Sequence, residues 1–182
     1  FDDLRFVDSS ESTELGYWIE EKVDSDWASV WVEVPTLTAS SNTSIYMYYG
    51  NSGATSNSDG DDAFVLFDDF ESGSLNSTKW TARGATTGGW SVTSSGALSG
   101  SYSLYGQGSG DTNYMFMLST SAIGVNGYEI QALGKYTGGT AGVNPRVAWS
   151  MDTSLNGYYS EYSDTSASGV RISEISPRTT VS

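Results

Sequence analysis

The sequence predicts an all-β protein: an antiparallel β-sandwich or jelly roll preceded by a smaller, partial β module. Three observations carry this expectation. Helical periodicity is almost absent. Short alternating segments rich in Val, Ile, Thr, Tyr and Trp recur instead between Gly/Ser/Asn/Asp clusters, the pattern of strands separated by turns. Aromatic residues reach 13% and charged residues only 16%, against about 25% charged in an average globular protein. Ser, Thr and Gly fill the difference, which suggests a solvent face that is hydroxylated rather than ionised. A composition this rich in aromatics is not that of a disordered chain.

In chain order, residues 1–6 (FDDLRF) read directly as a strand. Strands are predicted at 17–20, 29–34 and 44–49, where large apolar side chains alternate with polar ones, and the single helical turn is predicted at 24–28. The stretch GNSGATSNSDGDD, 50–62, has no apolar pattern and is dense in turn formers, the mark of a linker. The expected organisation is therefore a β module over 1–58, a linker over 59–63 and a jelly-roll domain over 64–182. In that second domain strands are predicted at 90–93, 101–105, 114–118, 128–135, 146–151, 157–162 and 169–175, at the regular spacing of a sandwich. Both ends of the chain are abrupt, and a sandwich with strands missing leaves unpaired edges that invite a partner.

Charge narrows the partners. There are 22 acids against 8 bases, a net charge of −14 and a pI near 4.1. Phosphate neutralisation needs Lys and Arg, so nucleic acid and anionic membrane surfaces are disfavoured. Calcium suits this charge, because it takes hard carboxylate oxygens. The chain has no Cys and no His, which removes zinc sites, Cys or Ser–His nucleophile pairs, haem ligation by His and histidine pH switches. The longest apolar runs, such as 114–118, are too short to span a membrane. With no signal peptide in view, the expectation is a mature piece of a longer exported protein.

Two segments resemble known families. DDLRFVDSSESTELGYWIEE (2–21), followed by SVWVEVPTLTASSNTSIYMYYGNSGA (29–54), resembles the family known only as domain of unknown function 2341. The match lies in the acid pair Asp2–Asp3, the strand around Arg5 and Phe6, Glu14-Leu15 with Tyr17-Trp18-Ile19-Glu20, Trp31 to Pro35, and Ile45 to Asn51. Gly16 stands where that family usually has proline, and the family's leading strands are absent, so the resemblance is to the C-terminal part of the module. FDDFESGSLNSTKW (67–80), with GGWSV (88–92) and SGSYSLY (99–105), resembles the opening of a concanavalin-like, laminin-G-type jelly roll of prokaryotic surface proteins. That second resemblance implies extracellular placement and a binding or structural role; the first family brings no established activity.

Acids cluster at Asp61, Asp62, Asp68, Asp69 and Glu71. Two readings stand for them: a structural calcium near the first jelly-roll strand, or a solvated acidic segment whose carboxylates accept backbone N–H groups. Alternate residues of a strand share a face, so in a regular strand Asp69 and Glu71 form the same-face pair and are the expected metal ligands. Catalysis is not expected. Glycosidase chemistry needs two carboxylates on one face, whereas Glu161 and Asp164 are an odd number apart and Glu129 and Glu174 each stand alone in a predicted strand.

The aromatics offer a ligand platform. Trp149 with Arg146, and Tyr158, Tyr159 and Tyr162, are the candidate sugar-binding residues, pairing flat rings for stacking with a hydrogen-bonding head. Trp18, Trp31 and Trp80 are expected in the core. Sequons at Asn42 and Asn76 suit surface loops. Together these readings predict a non-catalytic binding module of an extracellular or cell-surface protein, glycan-binding or adhesive, with a structural calcium as the one cofactor in view. The alternative is a structural subunit of an extracellular filament or sheath, a homo-polymer whose neighbouring chain completes its edges by strand addition. A polysaccharide-degrading enzyme is the least favoured reading.

Overall fold

A computed structural model describes residues 1–84, 88–108, 115–120, 129–134, 146–149, 158–161 and 176–177. Among them lie twelve strands and one four-residue helix, and every strand pairing is antiparallel. The all-β, antiparallel class read from the alternation is therefore the class of the fold. The chain divides into two compact units, Phe1–Asp69 and Phe70–Ser182. No helix among the described residues is long and apolar enough to cross a membrane.

The first unit contains β1 (Arg5–Val7), β2 (Glu14–Leu15), β3 (Tyr17–Val23), β4 (Trp27–Val32) and β5 (Tyr46–Tyr48). Its three-stranded sheet runs β2-β1-β5, and β3 and β4 form a separate hairpin. The turn between β1 and β2 is folded around Asp8, whose carboxylate accepts the backbone N–H of Ser10 at 3.1 Å and of Thr13 at 3.4 Å. Alternation explains which side chains go inward. Tyr17 pairs with Val32 and Ile19 with Val30, while Trp18 pairs with Trp31 and so takes the other face. The core is Leu4, Phe6, Leu15 and Tyr17, lined by Phe1, Ile19, Val30 and Val32.

The predicted helical turn at 24–28 is instead the tip of the β3–β4 hairpin and the start of β4. Val23 and Trp27 are register partners, Ser25 takes the left-handed backbone (φ 65°), and the Asp26 N–H closes the turn on the Val23 carbonyl at 3.0 Å. A five-residue segment cannot nucleate a helix against two flanking strands that already alternate in register.

The helix falls where a linker was expected: α1 (Gly60–Ala63). Asp59 caps it, its carboxylate accepting the Asp61 N–H at 2.8 Å. The residues before it strap the backbone of β3 on the side away from β4. The Ile19 N–H donates to Ser58 Oγ at 2.8 Å, the Asp59 N–H donates to the Tyr17 carbonyl at 2.8 Å, and the Asn57 N–H reaches the Tyr17 hydroxyl at 3.2 Å. Backbone groups of an inner strand need partners, and this polar stretch supplies them without any hydrophobic pattern. Two glycines allow the approach. A Cβ on Gly16 would overlap the Asp62 carbonyl, and one on Gly60 would overlap the Phe67 ring. Residues 59–63 and 64–69 thus lie inside the first unit, which closes later than the boundary expected from composition.

In the second unit β6 (Trp80–Gly84) pairs with β9 (Met115–Ser119), β7 (Gly88–Thr93) with β8 (Ser103–Gly108), and β10 (Arg146–Trp149) with β11 (Tyr158–Glu161), which also takes β12 (Ser176–Pro177). The predictions at 90–93, 101–105, 114–118, 146–151 and 157–162 each fall on one of these strands. β6 was missed, because Trp80-Thr-Ala-Arg-Gly84 shows no decisive alternation and its ladder to β9 makes it a strand. Residues 129–134, predicted as strand, carry none, and 169–175 lie outside the described residues.

Candidate functional site

One face of the β3–β4 hairpin carries two part-exposed indoles. Trp27, Ser29 and Trp31 occupy alternate positions of β4 and therefore share one face. Trp31 is 39% exposed and Trp27 43% exposed. Four residues separate them, which puts their Cα atoms about 13 Å apart at strand rise. Trp31 was expected in the core. It is instead half supported from below, its ring 5.6 Å from Phe64, while Trp18 packs edge-on against Phe67 at 4.7 Å and Phe64 stacks on Phe67 at 5.8 Å. The rings form one continuous aromatic layer, half-buried at Trp18 and more open at Trp31.

A bulge places the polar group of this face. Ile19 pairs with Val30 and Glu21 with Ser29, so Glu20 is the extra residue, and bulges re-aim side chains in this way. The Glu20 carboxylate accepts the Trp31 indole N–H at 2.9 Å and the Ser29 hydroxyl at 3.4 Å. The result is a flat ring held in a fixed plane beside an anionic acceptor and a hydroxyl. Chemically, an exposed ring face bordered by a carboxylate and a hydroxyl is a surface for stacking and hydrogen bonding.

Two further surfaces surround the core. Residues Ile45 to Tyr49, which include β5, are 38–74% exposed. At their end, the Tyr48 hydroxyl donates to Glu11 at 2.6 Å, and this bond holds the phenol pKa above its ordinary value. Asp3 accepts the N–H groups of Gly50 and Asn51 at 2.5 and 3.1 Å, and the bond from Gly50 leads in holding its carboxyl below the ordinary range. A shallow groove of about 610 Å³ has Glu14, Glu33, Asp59 and Asp62 among its walls. Glu14 is already paired with Arg5 at 3.4 Å and accepts from the Asn57 amide at 3.2 Å. Among the described residues no three acidic side chains converge as a metal-holding group.

Of the residues predicted from sequence, Asp69 closes the first unit and Glu71 lies in the second. The same-face argument for this pair required a regular strand. Residues 64–79 contain none, and Phe70 between the two acids has φ 63°, so that premise does not hold. Glu71 accepts the Ser101 N–H through both oxygens, at 2.8 and 3.0 Å, and the Tyr102 N–H at 2.9 Å. Arg146 and Trp149 are the two ends of β10, and the register sets Trp149 opposite Tyr158 and Ala148 opposite Tyr159. Tyr162 lies outside the described residues. Trp27 and Glu20 escaped the sequence reading, although Trp-Ala-Ser-Val-Trp carries its two indoles an even number apart, which is the spacing of a shared strand face.

Residues 1–83 match the family model described as Domain of unknown function (DUF2341). The matched segment contains the whole first unit and runs on almost to the end of β6. No curated protein and no solved structure matches the chain.

Proposed function

We propose that this chain is a non-catalytic binding module of an extracellular or cell-surface protein, that its ligand is a glycan, and that its second unit is a concanavalin-like jelly roll. The observation that carries the reading is the open face of Trp27 and Trp31, set about 13 Å apart along β4 beside the bulged carboxylate of Glu20. Two part-exposed indoles on one strand face support a binding role for that surface. The Ser/Thr-rich composition supports a hydroxyl-rich, hydrogen-bonding ligand. For the second unit, support comes from the FDDFE and SGSYSLY resemblance and from the antiparallel pairing of every described strand.

Affinity electrophoresis of the intact chain through gels containing soluble polysaccharides tests the proposal. Retardation by at least one polysaccharide, lost in Trp27→Ala and Trp31→Ala, is the expected result. No retardation on any polysaccharide refutes the glycan reading. Retardation unchanged in both variants but lost in a Trp149→Ala/Tyr158→Ala variant moves the site to β10 and β11. The rival readings have their own signatures: spontaneous polymerisation for a filament subunit, and turnover of a polysaccharide for an enzyme.

A further inference from the structure

A different surface of the first unit lies apart from the Trp27–Trp31 face, at the edge of the β2-β1-β5 sheet. β5 is one of the two outer strands of the β2-β1-β5 sheet, and no described residue forms a strand beyond it. Soluble proteins guard such edges with charge, proline or bulges. Ile45-Tyr-Met-Tyr-Tyr49 has neither charge nor proline, and its pairing with β1 runs in unbroken register through Tyr46, Met47 and Tyr48. The row of side chains formed by Leu15, Phe6 and Met47 crosses all three strands in register. It is core at Leu15 and Phe6 but ends at Met47, which is 53% exposed. The sheet's apolar face therefore extends one strand beyond its cover.

Charge identifies the occupant. The first unit holds 15 acids against 2 bases, a net −13, whereas the second holds 7 against 6. Both bases of the first unit are engaged: Arg5 with Glu14, and Lys22 with Asp24 at 3.1 Å and Asp2 at 3.5 Å. Glu11 sits against Tyr48 at one end of β5 and Asp3 against the turn that follows it. A second copy of this chain would bring the same excess of negative charge to the edge. A cationic strand would be drawn to it.

We propose that β5 is a docking edge for an extended, Lys/Arg-bearing segment of another protein, which adds to the sheet as a further strand. The backbone ladder supplies the pairing, the alternating Tyr46/Tyr48 and Met47 positions receive apolar side chains on the two faces, and the surrounding carboxylates receive the cations.

The test uses the complete chain and two synthetic peptides of about ten residues, one alternating Lys with Val and Thr, the other its Glu-for-Lys twin. Calorimetry is paired with hydrogen exchange read across Ile45–Tyr49, above all at the outward amide of Met47. The Lys peptide is expected to bind at least about tenfold more tightly than its twin, to slow exchange at this segment, and to weaken at least about tenfold between roughly 50 and 500 mM salt. Met47→Pro removes an edge N–H and Tyr46→Lys places a like charge on the edge; each is expected to lower the Lys-peptide affinity at least about fivefold. Tyr46→Lys keeps the test decisive where Met47→Pro fails to fold, since Tyr46 is exposed. Equal binding of the twins, affinity untouched by Tyr46→Lys, or protection only outside Ile45–Tyr49 overturns the proposal. So does self-association of the free chain with that segment protected, which would make a second copy the occupant.

Discussion

Replacing Tyr17 by Phe removes one oxygen from the most deeply buried side chain of the first unit, 1% exposed. The ring keeps its place in the core, including its tilted contact with Phe6 at 5.3 Å. What is lost is the hydroxyl that donates to the Leu4 carbonyl at 2.9 Å and accepts from the Asn57 N–H at 3.2 Å. Neither partner is left wholly bare. The Leu4 carbonyl still receives the Arg5 guanidinium at 2.5 Å, and Asn57 is exposed, so its N–H turns to water. The loss is therefore that of two net hydrogen bonds, about 2 kcal/mol in all, rather than of two orphaned groups. For a unit of this size that lowers the midpoint of thermal unfolding by roughly 8–16 °C. A chain of two units need not melt in one step, so calorimetry should be paired with hydrogen exchange, with the amides of Asn57, Ile19 and Asp59 expected to lose protection together. Tyr17→Ala, which also empties the core, should cost about 3–5 kcal/mol. A midpoint shift in Tyr17→Phe below about 2 °C, with the three amides unchanged, would show that the hydroxyl does not hold the strap.

Gly60→Ala forces a methyl group into the Phe67 ring, and overpacking of this kind costs about 1–3 kcal/mol; calorimetry should show Gly60→Ala/Phe67→Leu recovering part of the loss. Glu71→Ala should expose the Ser101 and Tyr102 amides to faster exchange. In the unaltered chain, a thermal midpoint unmoved by calcium or a chelator fits an amide-holding role for Glu71, whereas a calcium-dependent rise would assign it to the ion. The Tyr48 phenol, held above its ordinary pKa by Glu11, contributes stability that is complete below pH 10 and is lost as pH rises through its folded value. NMR titration of the Tyr48 ring carbon should follow this, with Glu11→Gln returning the pKa toward the ordinary value.

The strands of the first unit were legible because their pattern is carried by large side chains: Tyr-Trp-Ile and Val-Trp-Val alternate over a face that is buried and a face that is not. The strap was illegible for the opposite reason. Asn57, Ser58 and Asp59 act through a backbone N–H, a hydroxyl and a cap, and the same letters compose a solvated linker. Only Asp-Gly ahead of two acids hinted at a capped turn. The hairpin tip was misread because Asp24 to Ala28 has helix-compatible letters but too few of them. For the site, the sequence shows that Trp27 and Trp31 share a face but not what covers it. Trp18 and Trp31 are neighbours in register, yet Phe64 and Phe67 arrive from the far end of the unit to bury one more than the other.

The acids make sense once their partners are counted. Asp3 holds the Gly50–Asn51 turn, Asp8 the turn after β1, Asp59 the start of α1, and Glu71 the Ser101–Tyr102 backbone, each by accepting amide N–H groups. Among the described residues only four hydrophobic side chains are buried, and carboxylates tie down the loops around them. Asp8 and Asp3 have folded pKa values below the ordinary carboxyl range, chiefly through the Ser10 hydroxyl and the Gly50 N–H respectively. Their contribution is therefore present above the ordinary carboxyl pKa and is lost as pH falls through the folded values. Loops should loosen in acid before the strands melt, which exchange rates at Ser10 and Gly50 would show first. The same acceptor role, repeated at four separate turns, ties these carboxylates to loop geometry.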